Sequence, residues 1–292
     1  MMVRSWLFVP GDSEKKLGKG ESTGADALIL DLEDSVAAAR RPVGREMTRE
    51  YLEGADRSVC QLYVRINPLD SKDALQDLAG IIGGKPDGLV LPKAETVEDS
   101  HRLACYLDAL EIANGIEQGT TKTFPIATET PGAMLTLDGY RDANERLSAL
   151  AWGAEDLSAA IGASTNRDEN GDMAAPYVLA RSLCLMAAYA AGVQAVDTVY
   201  TDFRDDEGLR TSSNYARRDG FTGKIAIHPN QVGIINDAFT PSAEETAHAE
   251  AVIALFAANP EAGTLSLDGK MLDKPHLTQA ERVLALARQA GG

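Results

Sequence analysis

Short runs of Val, Ile and Leu recur along the chain, each followed by a stretch long enough for a helix. Eight stand out, at residues 5–9, 27–32, 61–66, 88–91, 124–128, 147–152, 195–200 and 224–227. Runs that are apolar throughout, without alternation, predict strands buried on both faces, as in a parallel sheet. Helical segments between them, such as 176–191, predict repeated βα units. Eight units in about 230 residues fit a TIM (β/α)8 barrel better than an open sheet with one extra strand. The most apolar window, 178–196, has the pattern of a buried helix.

Past residue 239 the rhythm changes. Ser242-Ala-Glu-Glu245 has the form of a capping box and predicts a helix to about residue 258. Asn259-Pro260 and Ala262-Gly263 interrupt it. Residues 264–267 and 270–272 flank Asp268-Gly269, a two-residue hairpin signal. Thr278-Gln-Ala-Glu281 then predicts the cap of a final helix. The division expected is a catalytic barrel over 1–239 and an α–β lid or oligomerisation appendage over 240–292.

Composition narrows the function. The 292 residues carry 28 Lys+Arg against 44 Asp+Glu, a net charge of −16. Such a field repels nucleic acid and anionic membranes, so neither is an expected partner. It does not oppose an anionic small molecule, because a local site can reverse the field. The N-terminus has no signal-peptide pattern and no apolar span reaches membrane length, so a cytoplasmic protein is expected. Cys60, Cys105 and Cys184 are too few and too scattered for a disulfide framework or a zinc site. Their apolar neighbours suggest core thiols in a reduced compartment.

A barrel carries its chemistry where strands end. The residues that follow the eight runs include Pro10-Gly11, Glu33, Asp34, Arg65, Asn67, Lys93, Glu129, Asp156, Asp202 and His228. Any one polar loop residue means little, but this accumulation points to a polar pocket. A few carboxylates without His or Cys partners suit Mg²⁺, with water and substrate completing its octahedron. Glu129 and Asp156 follow their strands directly and would face the mouth, whereas Asp34 could equally cap the next helix. Arg65 stands at the end of an apolar strand and needs a partner. That partner is either a substrate carboxylate gripped by its planar fork or an internal acid. His228, before Pro229, suits a packing or backbone-fixing role.

Eight segments together resemble one family. They are Ser5-Trp-Leu-Phe-Val-Pro-Gly11, Gly24-Ala-Asp-Ala-Leu-Ile-Leu-Asp-Leu-Glu-Asp-Ser-Val36, Val64-Arg-Ile-Asn67, Leu91-Pro-Lys93, Thr128-Glu-Thr130, Gly153-Ala-Glu-Asp-Leu157, Ile227-His-Pro229 and Gly269-Lys-Met-Leu-Asp-Lys-Pro275. In this order they are similar to the citrate lyase β-subunit-like (CitE-like) family, which includes malyl-CoA and citramalyl-CoA lyases. The resemblance implies a TIM barrel with a C-terminal lid, assembled as trimers or hexamers. It implies Mg²⁺-dependent cleavage of a 3-hydroxyacyl-CoA thioester into acetyl-CoA and a 2-oxo acid. By motif, Glu129 and Asp156 would ligate the metal, with Glu33 and Asp34 around its waters. Arg65 would hold the keto-acid carboxylate, with Lys93 as a further substrate contact. Asp273 would be the acid/base, delivered by a neighbouring subunit's lid. Nothing but the motif selects Asp273 among 44 acids.

Three positions depart from the family. Asp12 stands for the usual Asn and Lys15 for the usual Arg, where family members contact CoA phosphates. Lys15 and Lys19, four apart on an expected helix, could still grip phosphate. Thr128 replaces a hydrophobic residue before the metal Glu. Two other activities fit the same residues: a malate-synthase-like condensing thioester hydrolase, and a Mg²⁺ aldolase acting on a free 2-oxo acid.

Overall fold

The computed structural model describes residues 2–290. All eight expected strands form: β1 Ser5–Pro10, β2 Ala27–Asp31, β3 Gln61–Arg65, β4 Gly88–Leu91, β5 Lys122–Pro125, β6 Ala149–Ala151, β7 Gln194–Asp197 and β8 Gly223–Ala226. Each pairs in parallel with its sequence neighbour, and β8 pairs with β1. Between β5 and β6 the parallel contacts Thr123↔Leu147 and Ile126↔Ala151 close the ring. The eight-stranded parallel α/β barrel read from the apolar runs is the observed architecture.

Alternation within each strand sorts side chains into two cores. Trp6, Ile29, Tyr63, Val90, Phe124 and Ile225 fill the lumen, whereas Leu7, Leu28, Leu30 and Leu62 face the helices. The lumen is packed by aromatic edges, with ring centroids 4.9 Å apart for Trp6–Tyr63 and 4.8 Å for Trp6–Phe124. Gly88 permits this: a Cβ there would lie 2.3 Å from Tyr63 Cε1. The barrel is therefore a filled solid, and chemistry is confined to its rims.

The helices are α1 Glu14–Leu17, α2 Arg41–Gly54, α3 Ala74–Ile81, α4 Val97–Ala113, α5 Pro131–Met134, α6 Ala154–Ala160, α7 Ala175–Ala190, α8 Asp206–Asp219, α9 Asn230–Phe239, α10 Ala243–Ala258 and α11 Lys274–Ala290. No described helix is long and apolar enough to cross a membrane. Four expectations are corrected here. The helix carrying Lys15 is a single turn ending at Leu17, and Gly18 follows it, so Lys19 lies beyond it. Thr278 sits inside α11, which starts four residues earlier at Lys274. The α7 window is buried on one face alone, leaving Leu179 56% and Met186 61% exposed. Cys60 and Cys184 are core thiols, but Cys105 is exposed on α4.

Past α9, the Ser242 cap and the Asp268-Gly269 turn form as expected, whereas the Thr278 cap does not. Ser242 Oγ accepts from Glu245 N and Glu245 reciprocates, opening α10. The Asp268-Gly269 turn joins β9 Thr264–Leu267 to antiparallel β10 Lys270–Asp273. Phe256, Leu272 and Ala280 form a separate small core. Leu286 of α11 lies beside Val3, Arg4 and Phe239 at the amino end of the strands.

Candidate active site

At the carboxyl end of the strands, five carboxyl groups surround two cations. Asp31 ends β2, whose five residues are all buried. Its Oδ1 and Oδ2 accept Arg65 Nε and Nη2 at 2.7 Å each, and accept the backbone N–H of Glu33 and Ser35 at 3.0 Å each. Burial would push the Asp31 carboxyl up, but the guanidinium and these donors outweigh it and hold the pKa below its ordinary value. The acid thereby folds the turn that presents Glu33.

Arg65 has two expected kinds of partner, and the observed one is internal. Its Nε–Nη2 fork is on Asp31, Nη1 meets Glu33 Oε2 at 2.9 Å, and Phe8 lies 4.4 Å beneath the guanidinium carbon. Nη1 is the edge left for anything beyond Asp31. Glu33 is buried, and desolvation raises its pKa despite Arg65 and Lys93. Asp34 is 62% exposed in its side chain, 3.7 Å from Lys93 Nζ, and caps no helix.

Lys93 is the hub. Its φ of 51° lies in the left-handed region, costly for a side chain with a Cβ, so surrounding contacts hold it there. That backbone turns its N–H onto Glu129 Oε2 at 2.5 Å. Its Nζ meets Glu33 Oε1 at 2.5 Å and Asp156 Oδ1 at 3.2 Å. One residue therefore joins the ends of β2, β5 and β6. Burial opposes the ammonium charge, but the acids around it raise its pKa well above the ordinary lysine value.

Glu129 is 3% exposed, just beyond β5. Burial pushes its pKa up to about 8; the Lys93 N–H opposes this and nearby Asp156 adds to it. Gly153 makes room for it, since a Cβ there would lie 2.8 Å from Glu129 Cγ. Thr128, the departure from the family pattern, accepts Gly153 N–H on Oγ1 at 3.1 Å, tying the Glu129 loop to the start of α6. Asp156 lies in the first turn of that helix and is partly exposed. Trp152, just before Gly153, donates from Nε1 to Asp197 Oδ1 at 2.7 Å, and Lys224 Nζ sits 2.5 Å from Asp197 Oδ2.

The donor set fits Mg²⁺ on these observations. Among the described residues, Glu129 is a buried carboxyl with one hydrogen bond and no cation on its oxygens, and Asp156 adds a second oxygen donor. Among the described residues no three His, Cys, Asp or Glu groups converge into a complete metal cage. Mg²⁺ held by two carboxylates takes water and substrate oxygens for the rest of its shell.

The other expected residues lie apart. Lys15 on α1 and Lys19 just past it are exposed, and in the β1–α1 turn Asp12 takes Arg40 Nε at 2.7 Å. His228 accepts Asn230 N–H on Nδ1 and stacks on Phe203 at 5.1 Å, a backbone-fixing role at an exposed rim. Asp273 ends β10 and is not brought to this cluster: its side-chain partner is His276 of the same appendage. Asp31, Thr128 and Gly153 carry roles the sequence reading did not assign. Asp31 had a legible signal, an acid closing a wholly apolar run.

The chain matches the family model described as HpcH/HpaI aldolase/citrate lyase over residues 4–229. It is 34% identical to the citrate lyase subunit beta of Escherichia coli over 99% of this chain and 94% of that one. The mitochondrial citramalyl-CoA lyase of Rattus norvegicus is 33% identical over 97% of this chain and 86% of its own length. The (3S)-malyl-CoA thioesterase of Cereibacter sphaeroides is 34% identical over 97% and 94%. Among solved structures, the CitE protein of Mycobacterium tuberculosis in complex with magnesium, acetoacetate and coenzyme A superposes with a TM-score of 0.79. It is 32% identical, with 98% of both chains covered. The chain therefore belongs to the HpcH/HpaI aldolase/citrate lyase family, and it is a lyase.

Proposed function

We propose that this chain is a Mg²⁺-dependent carbon–carbon lyase acting on a 3-hydroxyacyl thioester of coenzyme A. It cleaves the ester into acetyl-CoA and a 2-oxo acid, or runs the reverse condensation. The observation that carries the reading is Glu129, a buried carboxyl with no cation on its oxygens among the described residues, beside Asp156 at the next strand end. Glu129 and Asp156 would hold the metal, which when bound supplies a Lewis acid for the substrate's oxygens. Lys93 keeps the Glu129, Glu33 and Asp156 side chains in register through its backbone N–H and ammonium. A substrate carboxylate would meet Arg65 at Nη1, because Asp31 occupies the fork. The enolate left when the carbon–carbon bond breaks requires donors such as backbone N–H groups at a strand end. Lys15 and Lys19 would serve the CoA phosphates as point charges.

Asp273 is the acid/base in this reading, moving the proton between the substrate hydroxyl and the acetyl carbon. Its appendage reaches the amino end of its own barrel at Leu286, opposite the acid cluster. This supports delivery of Asp273 to a neighbour's mouth in a trimer or hexamer. Mixing inactive Asp273→Asn with inactive Glu129→Ala, with subunit exchange demonstrated, then restores part of the activity. Absence of rescue sinks the shared site.

The direct test is incubation with Mg²⁺ and malyl-, citramalyl- and citryl-CoA, following 2-oxo acid and acetyl-CoA with and without EDTA. No 2-oxo acid from any member of the panel rejects the reading as framed for CoA substrates. The thioesterase relative supports a second reading, hydrolysis of the thioester after condensation. Its signature is free CoA and hydroxy acid in place of 2-oxo acid.

A further inference from the structure

Asp273 is not alone on the lid. His276 Nδ1 lies 2.5 Å from Asp273 Oδ1, with the two side chains 44% and 36% exposed respectively. The backbone N–H of Asp273 is 3.2 Å from the same nitrogen. Two lone pairs do not approach to 2.5 Å, so a proton lies between Nδ1 and Oδ1 and a hydrogen bond joins the two side chains. The fold sets this spacing. Asp273 is the last residue of β10 and His276 the third of α11, with Lys274 and Pro275 making the corner.

We infer that His276 is a positioning residue for Asp273, fixing Oδ1 so that Oδ2 is the oxygen that exchanges the substrate's proton. The inference rests on the lyase reading above, in which Asp273 is the acid/base. A half-exposed Asp on a two-stranded hairpin samples several rotamers, and one of its oxygens must face the acetyl carbon for proton transfer. The hydrogen bond between Nδ1 and Oδ1 selects among those rotamers before the lid arrives. It takes one oxygen out of play and leaves the other with its lone pairs free. No proton is gained or lost overall in the lyase reaction, since the one removed from the hydroxyl ends on the acetyl carbon. The pair therefore needs only a held carboxylate.

The test separates positioning from simple structure and from direct proton transfer by the imidazole. His276→Ala should lower kcat about ten-fold, equivalent to about 1.4 kcal/mol of barrier, with KM and Mg²⁺ affinity unchanged. His276→Asn, whose amide can donate from near the Nδ1 position, should recover most of that loss. In the Asp273→Asn background, His276→Ala should cost nothing further, because it acts through Asp273. Deuterium exchange into the acetyl methyl of acetyl-CoA in D2O should slow in parallel with kcat.

Unchanged kcat in His276→Ala, while Asp273→Asn is inactive, overturns the role of His276 alone. Rescue of His276→Ala by added imidazole with no rescue by Asn overturns it too, making the ring the base. Wild-type activity in Asp273→Asn instead overturns the reading on which the inference stands.

Discussion

Glu111 and Glu129 are the same side chain, almost equally shut off from solvent at 0% and 3% exposed, with opposite chemistry. Glu111, on α4, takes Arg146 Nη1 at 2.9 Å and Nη2 at 2.6 Å, with the N–H groups of Thr121 at 2.7 Å and Gly119 at 2.8 Å. Burial alone would raise its pKa, but these donors bring it down to about 2. Glu129 has one backbone N–H, and burial pushes it up to about 8. Low exposure alone therefore does not mark function; deep burial with incomplete compensation does. The wall of the barrel completes the shell of its acid, whereas the mouth leaves one open.

The comparison breaks most sharply at Glu129 itself. Glu129→Gln mimics the protonated side chain, so the melting temperature should stay within about a degree. Turnover should fall about 1000-fold, equivalent to about 4 kcal/mol of lost metal-borne stabilisation. Retained turnover would remove the metal site. Glu111→Gln should do the reverse. Breaking a buried pair costs about 3 kcal/mol, at the low end of the usual range because Asp108 still pairs with Arg146. Chemical denaturation measures this, and kcat of the folded fraction should be unchanged.

Arg65→Lys keeps a charge but cannot reproduce the fork on Asp31 and the contact with Glu33 together. Loss of a charged hydrogen bond, about 2 kcal/mol, predicts roughly thirty-fold lower kcat/KM. An unaffected kcat/KM would make Arg65 purely a strut.

The pH dependences of the two acids run in opposite directions. Glu129 binds its proton more tightly folded than unfolded, so its contribution is full below its ordinary value of 4.5 and is lost as pH rises through about 8. Glu111 contributes above 4.5 and is lost as pH falls towards about 2. Melting curves of the two Gln variants should each flatten one limb of the wild-type profile, Glu129→Gln the alkaline and Glu111→Gln the acid. Mg²⁺ affinity, read by calorimetry, should gain about ten-fold per pH unit below 8, with one proton released per ion. An affinity independent of pH contradicts the raised Glu129. The smallest effect belongs to Asp34→Asn, about two-fold in kcat, since screening weakens an exposed charge at 3.7 Å.

Eight apolar runs specified the barrel because a strand buried on both faces must be apolar throughout, a local property of the residues. The capping box at Ser242 and the Asp268-Gly269 turn were equally local, since each is satisfied within a few residues. The strand-end position of Glu129 and Asp156 followed from the same rhythm. The chemistry of these groups did not. Whether Arg65 grips a substrate or Asp31, whether Asp34 caps a helix, and where α11 begins depend on partners far along the chain. Arg65 and Asp31 are 34 residues apart, and Lys93 and Glu129 are 36. Gly153 shows the limit: its role is the space it leaves for Glu129, and an absent side chain acquires meaning when another strand end fills it. The sequence alone determined which residues end strands; only closure of the barrel decided which charges meet, because electrostatic compensation is set by distances between elements.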